Sequence, residues 1–430
     1  MSEEAIKIGL LGLGTVGSGA YKIIEKNQDL LKSRTGIGFE VTKILVSNPQ
    51  KKRRVNVPQE LLTTDTSSIL HDPQIDVVVE LMGGVTASYH YIKEALEQGK
   101  YVVTANKDLM ATKGEELHRL AAEKNVKIFY EASVGGGIPL IRPLQNSLGA
   151  NRILRIMGII NGTTNYILTK MSLESMDFDS ALAEAQAKGF AEKDPSSDLE
   201  GWDAAYKLAI LARLAFDSAI DIDDVHREGI SMVDIRDIQY AKELGFTIKL
   251  LAIGEDLEKG IALKVHPTLV PLNHPLASVN HEFNALFVEG DAVGEVMFFG
   301  RGAGEMPTGS SVVADLMDAA REIKLGDKSP SLQPSEKRNI LPVSELVSPF
   351  YLRLQATDEP GVFGYLATVF GGENISLDMI IQKRSEGGIA EIVLVTHAVQ
   401  EKKLEAALNK VHKFAAIERV ASVYRVIEKK

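Results

Sequence analysis

Between Asn161 and Leu214 the chain sets Glu192, Asp194, Asp198, Asp203 and Lys207 among apolar neighbours. Asp203 and Lys207 are four residues apart, so on a helix they share one face. The same stripe carries Leu199, Ile210, Leu211 and Leu214. An exposed ion pair of this spacing contributes under about 0.5 kcal/mol, whereas a pair on an apolar stripe is expected to be partly buried. Burial lowers a lysine pKa and a nearby carboxylate raises it, and that balance makes a usable proton donor. The remaining carboxylates exceed what an acidic substrate needs and point to a ligand carrying an ammonium group. The preceding Asn161, Gly162, Thr163, Thr164 and Asn165 offer hydrogen bonds to a small polar ligand, or cap the helix that follows. The predicted helix runs from Asp198 or a neighbour to about Phe216.

A lysine that donates a proton at a carbonyl oxygen suits direct hydride transfer between a cofactor and an alcohol or carbonyl carbon. The chain has no cysteine, which excludes disulfides, thiolate zinc sites and a thiohemiacetal route. A net charge of −10 argues against nucleic acid or an anionic membrane as partner. No apolar run reaches the roughly 18 residues of a membrane span, and the acidic N-terminus reads as no signal peptide. Both suit a cytoplasmic enzyme. At 430 residues, 45% hydrophobic and 25% charged, the chain has material for two or three domains.

The elements that must position cofactor and substrate begin at the first strand. Ile6 to Leu11 is a short apolar run, as in a buried parallel strand. It enters Gly12-Leu13-Gly14-Thr15-Val16-Gly17 and then a predicted helix, residues 18–31. Strand, GxGxxG and helix together form a dinucleotide-binding context: a tight turn, room for a pyrophosphate, close packing, and a helix N-terminus that favours an anion. Strand 40–46 ends without the carboxylate an NAD site uses; Arg53 and Arg54 follow, suiting the 2′-phosphate of NADP, although a solvated basic loop would read alike. Predicted strands 76–81, 101–104 and 126–130, with helices at 87–98 and 114–124, complete a doubly wound α/β sheet. Lys107 falls at a strand's carboxyl end, where ligands bind. Glu131 with the glycine-rich turn after it offers a carboxylate and carbonyls to a hard cation.

Beyond Arg152 come strands 153–160, 246–270 and 285–299, an α+β second domain. Gly300–Ser310 leads into a helix, 311–322, whose N-terminus is placed to return to the cofactor, making the first domain discontinuous. Residues 326–348 read as a Pro- and Ser-rich linker. The segment 349–430 reads βαββαβ, the ferredoxin-like pattern, suited to ligand sensing or oligomerisation.

GLGTVG, TANK, NGTTNYIL, AEKDPSSDLEGWDAAYK and RGAGEMPTGSSVVADL, in that order, resemble bacterial homoserine dehydrogenases, and DEPGVF with NISLDMIIQ resembles an ACT domain. The resemblance spans essentially the whole chain. It implies NAD(P)H-linked interconversion of L-aspartate 4-semialdehyde and L-homoserine, on the route to threonine, methionine and isoleucine. It implies Lys207 as proton donor and acceptor, Asp203 beside it, and Lys107 at cofactor and substrate. Glu192, Asp198, Gly162 and Thr163 are the expected substrate residues, with Glu192 at the ammonium. Leu13, Gly14, Thr15, Val16, Arg53, Arg54, Gly189 and Gly309 are expected near NADP, or NAD. Glu131, Val134, Gly136 and Ile138 would hold a monovalent cation, sodium by resemblance. The implied domains are 1–135 with about 305–340 for NAD(P), 136–304 for catalysis and dimerisation, and 349–430 as an ACT domain binding an amino-acid effector such as threonine, in a homodimer or homotetramer. Two other readings use the same residues: an amine-forming dehydrogenase, and an amino-acid sensor that binds NADP without turnover.

Overall fold

Strand β1 (Ala5–Leu11) is buried along most of its length, as an unbroken apolar run requires. In the computed structural model, residues 5–326 and 336–428 are described; the middle of the expected linker, 327–335, lies outside them. The first elements are β1, α1 (Thr15–Lys26), β2 (Gly38–Leu45), β3 (Leu62–Thr63), β4 (Val77–Glu80), α2 (Thr86–Glu97), β5 (Tyr101–Thr104), α3 (Lys107–Glu123) and β6 (Ile128–Phe129). Next come β7 (Ile153–Ile159), α4 (Gly162–Glu174), α5 (Trp202–Phe216), α6 (Ile235–Glu243), β8 (Phe246–Leu257), β9 (Gly260–Pro271), β10 (Phe283–Gly290), β11 (Gly294–Arg301) and α7 (Glu305–Leu325). The last are β12 (Phe350–Thr357), α8 (Val362–Gly372), β13 (Leu377–Glu386), β14 (Ile389–Thr396), α9 (Glu401–Val411) and β15 (Ile417–Val426). They form two compact units. One holds Met1–Ile156, Tyr206–Asp224 and Asn284–Arg338; the other holds Met157–Ala205, Val225–Phe283 and Asn339–Lys430.

The first unit contains a six-stranded sheet in the order β3-β2-β1-β4-β5-β6, with every pair parallel. That is the strand order of a dinucleotide-binding sheet, with the direction of winding reversing between β1 and β4. Helix α7 belongs to this core. Its Val312, Val313, Leu316 and Ala320 share one apolar cluster with Ile8, Leu10 and Val79 of the sheet and Tyr21 and Ile24 of α1.

In the second unit, β8 and β9 form a long hairpin, Leu257 opposite Gly260, where the sequence reads as one strand. The C-terminal strands take the order β15-β12-β14-β13, with β12 antiparallel to both neighbours, as in a ferredoxin-like sheet. Phe350, Leu366, Phe370, Leu404 and Ala407 fill the space between this sheet and helices α8 and α9. The module is not a separate body: β15 pairs in parallel with β9, Thr268 opposite Arg425.

A buried ion network fastens the same module to α6. Arg353 on β12 is 1% exposed. Its guanidinium donates to Asp237 of α6 at 2.7 and 3.0 Å and to Glu391 of β14 at 2.9 Å. Tyr351 and Ser422 donate to the same Asp237, and Tyr240 of α6 donates to Glu391. Burial pushes the Glu391 carboxyl up, but the bonds from Tyr240 and Arg353 outweigh it and hold it below the usual range. Removing Arg353 would leave the buried Asp237 without a cation and Glu391 with only Arg236 at 3.3 Å, so Arg353→Met is expected to lower stability at neutral pH by about 3–5 kcal/mol. Because the folded state holds the Glu391 carboxyl low, its contribution is full above about pH 4.5 and fades as the pH falls below it. The gap between wild type and variant should therefore narrow in acid. Urea midpoints at pH 7 and pH 4 measure both, and an equal gap at the two would refute the assignment.

Candidate functional site

Several helix boundaries differ from expectation. Residues 18–31 are not one helix: α1 begins at Thr15 and breaks at Asn27, and a second helix covers Gln28–Thr35. Helix α3 begins at Lys107 rather than Gly114, because the Asn106 side chain accepts from Leu109 N and caps it. Asp198 does not begin α5. It lies in a separate turn, Ser196–Leu199, and Gly201 at φ +78° divides the two. Helix α7 begins at Glu305, about 1.7 turns before Ser311.

In the second unit the polar residues gather on Asn161. Its side-chain oxygen accepts from Thr164 N at 2.8 Å, capping α4. Its amide nitrogen donates to Asp198 Oδ1 at 2.7 Å and Asp203 Oδ2 at 2.9 Å. One amide thus joins two carboxylates that come from different helices. Asp203 is buried and Asp198 half-buried. Gly162 is the first residue of α4. Thr163 is buried and donates to Phe190 O at 2.8 Å, so its hydroxyl holds the 189–192 turn. In that turn Gly189 has φ +75°, and the Glu192 side chain stands exposed. Asp194 accepts from Ser196 Oγ and N, which hold its carboxyl below the usual range; it starts a helical turn. Helix α5 carries Asp203 in its first turn and runs on, from Tyr206 in the first unit, through the half-buried Lys207 to buried Ile210 and Leu211.

In the first unit the GLGTVG turn has the geometry its glycines imply. Gly12 has φ +100°, and a Cβ on Gly17 would meet Gly12 O. A Cβ on Gly14 would meet nothing within 4 Å, so the backbone there is open to a ligand. No side chain caps α1, and no acidic residue stands in its first turn. The helix start at Leu13–Val16 therefore suits a phosphate group.

Arg53 donates to the carbonyls of Asn48, Pro49 and Lys51, which shapes the basic loop. Arg54 is largely exposed and lies 3.7 Å from Glu305, which also binds Lys22. Gly309 sits where α7 crosses α1. A Cβ there would meet Gly19 and Ala20 backbone at 2.7 Å, so the glycine permits the crossing.

Glu80 is a residue the sequence reading passed over. Its fully buried carboxylate accepts from Met82 N, Gly83 N and the Ser88 and Thr104 hydroxyls. It thus ties the loop after β4 to the end of β5. Asn106 donates to Gly84 O at 2.6 Å, and Lys107 follows as the first residue of α3, its side chain about a third exposed. The signal was one carboxylate ending the apolar run VVVE.

The Glu131 carboxylate accepts from the N–H groups of Leu140, Ile141 and Arg142 at 2.6–2.8 Å, two on Oε1 and one on Oε2. Gly135 and Gly136 both have positive φ there, and Gly136 O accepts from Ser311 Oγ.

The model for "Homoserine dehydrogenase, NAD binding domain" matches residues 12–131, that for "Homoserine dehydrogenase" residues 139–317, and that for "ACT domain" residues 350–416. The homoserine dehydrogenase of Bacillus subtilis (strain 168) is 46% identical over 426 residues, covering 98% of each chain. That of Synechocystis is 47% identical, covering 98% of this chain and 99% of its own. A crystal structure of a homoserine dehydrogenase from Thiobacillus denitrificans superposes with a TM-score of 0.93 at 39% identity, covering 99% of each chain. A hyperthermophilic archaeal homoserine dehydrogenase in complex with NADPH covers 76% of this chain at TM-score 0.64 and 28% identity. Nucleotide-binding, catalytic and C-terminal segments are each matched, and the relatives cover nearly the full length: the chain belongs to the homoserine dehydrogenase family, NAD(P)-dependent oxidoreductases, in the form with a C-terminal ACT domain.

Proposed function

We propose that the chain interconverts L-aspartate 4-semialdehyde and L-homoserine, a step toward threonine, methionine and isoleucine, in the cytoplasm. The observation that carries this is the Asn161 amide holding Asp198 and Asp203 one helical turn from Lys207. The nicotinamide cofactor, when bound, supplies or accepts the hydride. Lys207 gives a proton to the semialdehyde oxygen in reduction and takes it back from the homoserine hydroxyl in oxidation. Asp203, fixed by Asn161, orients that end of the substrate. Glu192 takes the ammonium group, and Asp198, Gly162 and Thr163 shape the rest. Lys107 serves cofactor and substrate, on a segment that Glu80 and Asn106 make rigid.

Leu13, Gly14, Thr15 and Val16 would hold the pyrophosphate, with Gly309 and Gly189 near the cofactor. Arg54, and Arg53 through the loop it braces, favour the 2′-phosphate of NADP, while NAD remains a substrate. The packing of α7 on α1 and the sheet supports a nucleotide domain of 1–135 with about 305–340, joined to a catalytic and dimerisation domain of 136–304. A sodium ion would sit on carbonyls of Glu131, Val134, Gly136 and Ile138. Exposed Met297 and Phe299 on β11 support assembly to a homodimer or homotetramer, which sedimentation tests. The ACT domain at 349–430, after the 326–348 linker, binds threonine and lowers turnover.

Lys207→Ala is expected to lose homoserine oxidation by about 10²–10⁴-fold while keeping its circular dichroism spectrum. Unchanged turnover in that variant would sink the proton-transfer role. The same assay with NADP⁺ against NAD⁺, and in sodium against N-methylglucamine buffer, reads cofactor and cation dependence.

Threonine added to the full-length enzyme is expected to lower the rate. The full chain is the right subject because β15 pairs with β9, so truncation would open a sheet. If threonine changes neither rate nor thermal midpoint, the effector assignment is wrong.

A further inference from the structure

Strand β8 carries one lysine in an apolar run, Phe246-Thr-Ile-Lys249-Leu-Leu-Ala-Ile. Lys249 is 2% exposed. Its Nζ donates to Val279 O at 2.5 Å, Asn280 Oδ1 at 3.0 Å and Asn165 Oδ1 at 3.2 Å. All three acceptors are neutral oxygens, and an ammonium has three protons to give them. Burial lowers its pKa to about 7. A leucine would pack such a position without the cost of burying a charge. A buried amine at this position therefore needs a role that packing does not supply.

Its partner Asn165 indicates that role. The Asn165 amide cannot turn over, because its Nδ2 donates to Val279 O and Phe283 O at 3.2 and 3.0 Å. Its oxygen is thus committed to Lys249. Along α4, Asn165 N donates to Asn161 O at 3.3 Å, and Thr169 Oγ1 donates to Asn165 O at 2.6 Å. Asn165 is one helical turn after Asn161, so a clamp on Asn165 sets how the first turn of α4 is rotated. That rotation decides where the Asn161 amide points. In its observed direction the amide meets Asp198 and Asp203 at 2.7 and 2.9 Å.

We propose that Lys249 is a positioning residue for the reaction: its side-chain nitrogen clamps Asn165, fixes the first turn of α4, and so keeps Asn161 on Asp203. Lys249 itself touches neither substrate nor cofactor. The inference rests on the proposed Asp203–Lys207 centre, so Lys207→Ala is run beside it.

The test is a cycle of Lys249→Met, Asn161→Ala and the double variant in the full-length enzyme, assayed for homoserine oxidation. Lys249→Met is expected to fold and to lose kcat by about tenfold, with KM for NADP⁺ changed by less than about twofold. A general loss of structure would move both. Since both residues act on one contact, the double variant should be no slower than Asn161→Ala alone. Should Lys249→Met fail to fold, Asn280→Ala takes its place in the cycle: it removes one of the three oxygens, keeps the lysine, and should lower kcat by about two- to fivefold. Wild-type kcat in the folded variant, or losses that multiply in the double, would overturn the proposal. If Lys207→Ala stays active, the underlying reading fails and this inference with it. If Lys207→Ala is dead while Lys249→Met equals wild type, only this inference fails.

Discussion

The second compact unit of this chain is organised by one amide group. Asn161 ends an apolar strand and begins a helix, and its side chain meets both demands of that place. Its oxygen satisfies a helix-start N–H that would otherwise lack a partner. Its nitrogen then points back toward two carboxylates. Two carboxylates this close would repel. A shared donor offsets that repulsion without introducing a further charge. An aspartate at the same position would cap the helix equally well and add a third negative charge. Only an amide caps the helix and bridges the carboxylates at once.

The nucleotide half works by backbone placement. Gly12 and Gly17 allow β1 and α1 to pack closely, and Gly14 leaves the turn open. The crossing of α1 with α7 follows the same rule, with Gly19 against Glu305 backbone and Gly309 against Gly19. A side chain at either glycine would push the helices apart and withdraw α7 from the apolar cluster it completes. This is why a segment nearly three hundred residues downstream is part of the first core.

What the sequence made legible is what periodicity carries. The alternation of strands and helices in residues 5–130 and the βαββαβ order of the C-terminal module were both readable, since each follows from apolar spacing. Helix ends were less so, because a single residue decides them: Asn27, Asn106 and Gly201 each moved a boundary. Spacing also cannot tell which atom of a residue faces a loop. That the Glu131 carboxylate meets three amides nine to eleven residues on was not readable from spacing. Residues joined only by the fold stayed hidden. Glu80 and Thr104 are 24 positions apart, Lys249 and Asn165 are 84, and Arg353 and Asp237 are 116. In each case the one trace was a polar residue in an apolar stretch.

That last pair bears on how an effector could act. A ligand shifts an enzyme only through a difference in its affinity for two states, and those states must be joined by something that moves as a unit. Arg353, Asp237 and Glu391 are nearly inaccessible to water, so separating them would leave charges unpaired in a dry interior. Strands β12 and β14 and helix α6 therefore shift together or not at all. Helix α6 packs on both β8 and α4, and these hold Lys249, Asn165 and Asn161. A displacement of the ACT sheet would act on α6 and, through that packing, on β8 and α4. The proposed response to threonine then needs only a slight rotation of α4, because the Asn161 amide has hydrogen-bond tolerance of a few tenths of an ångström.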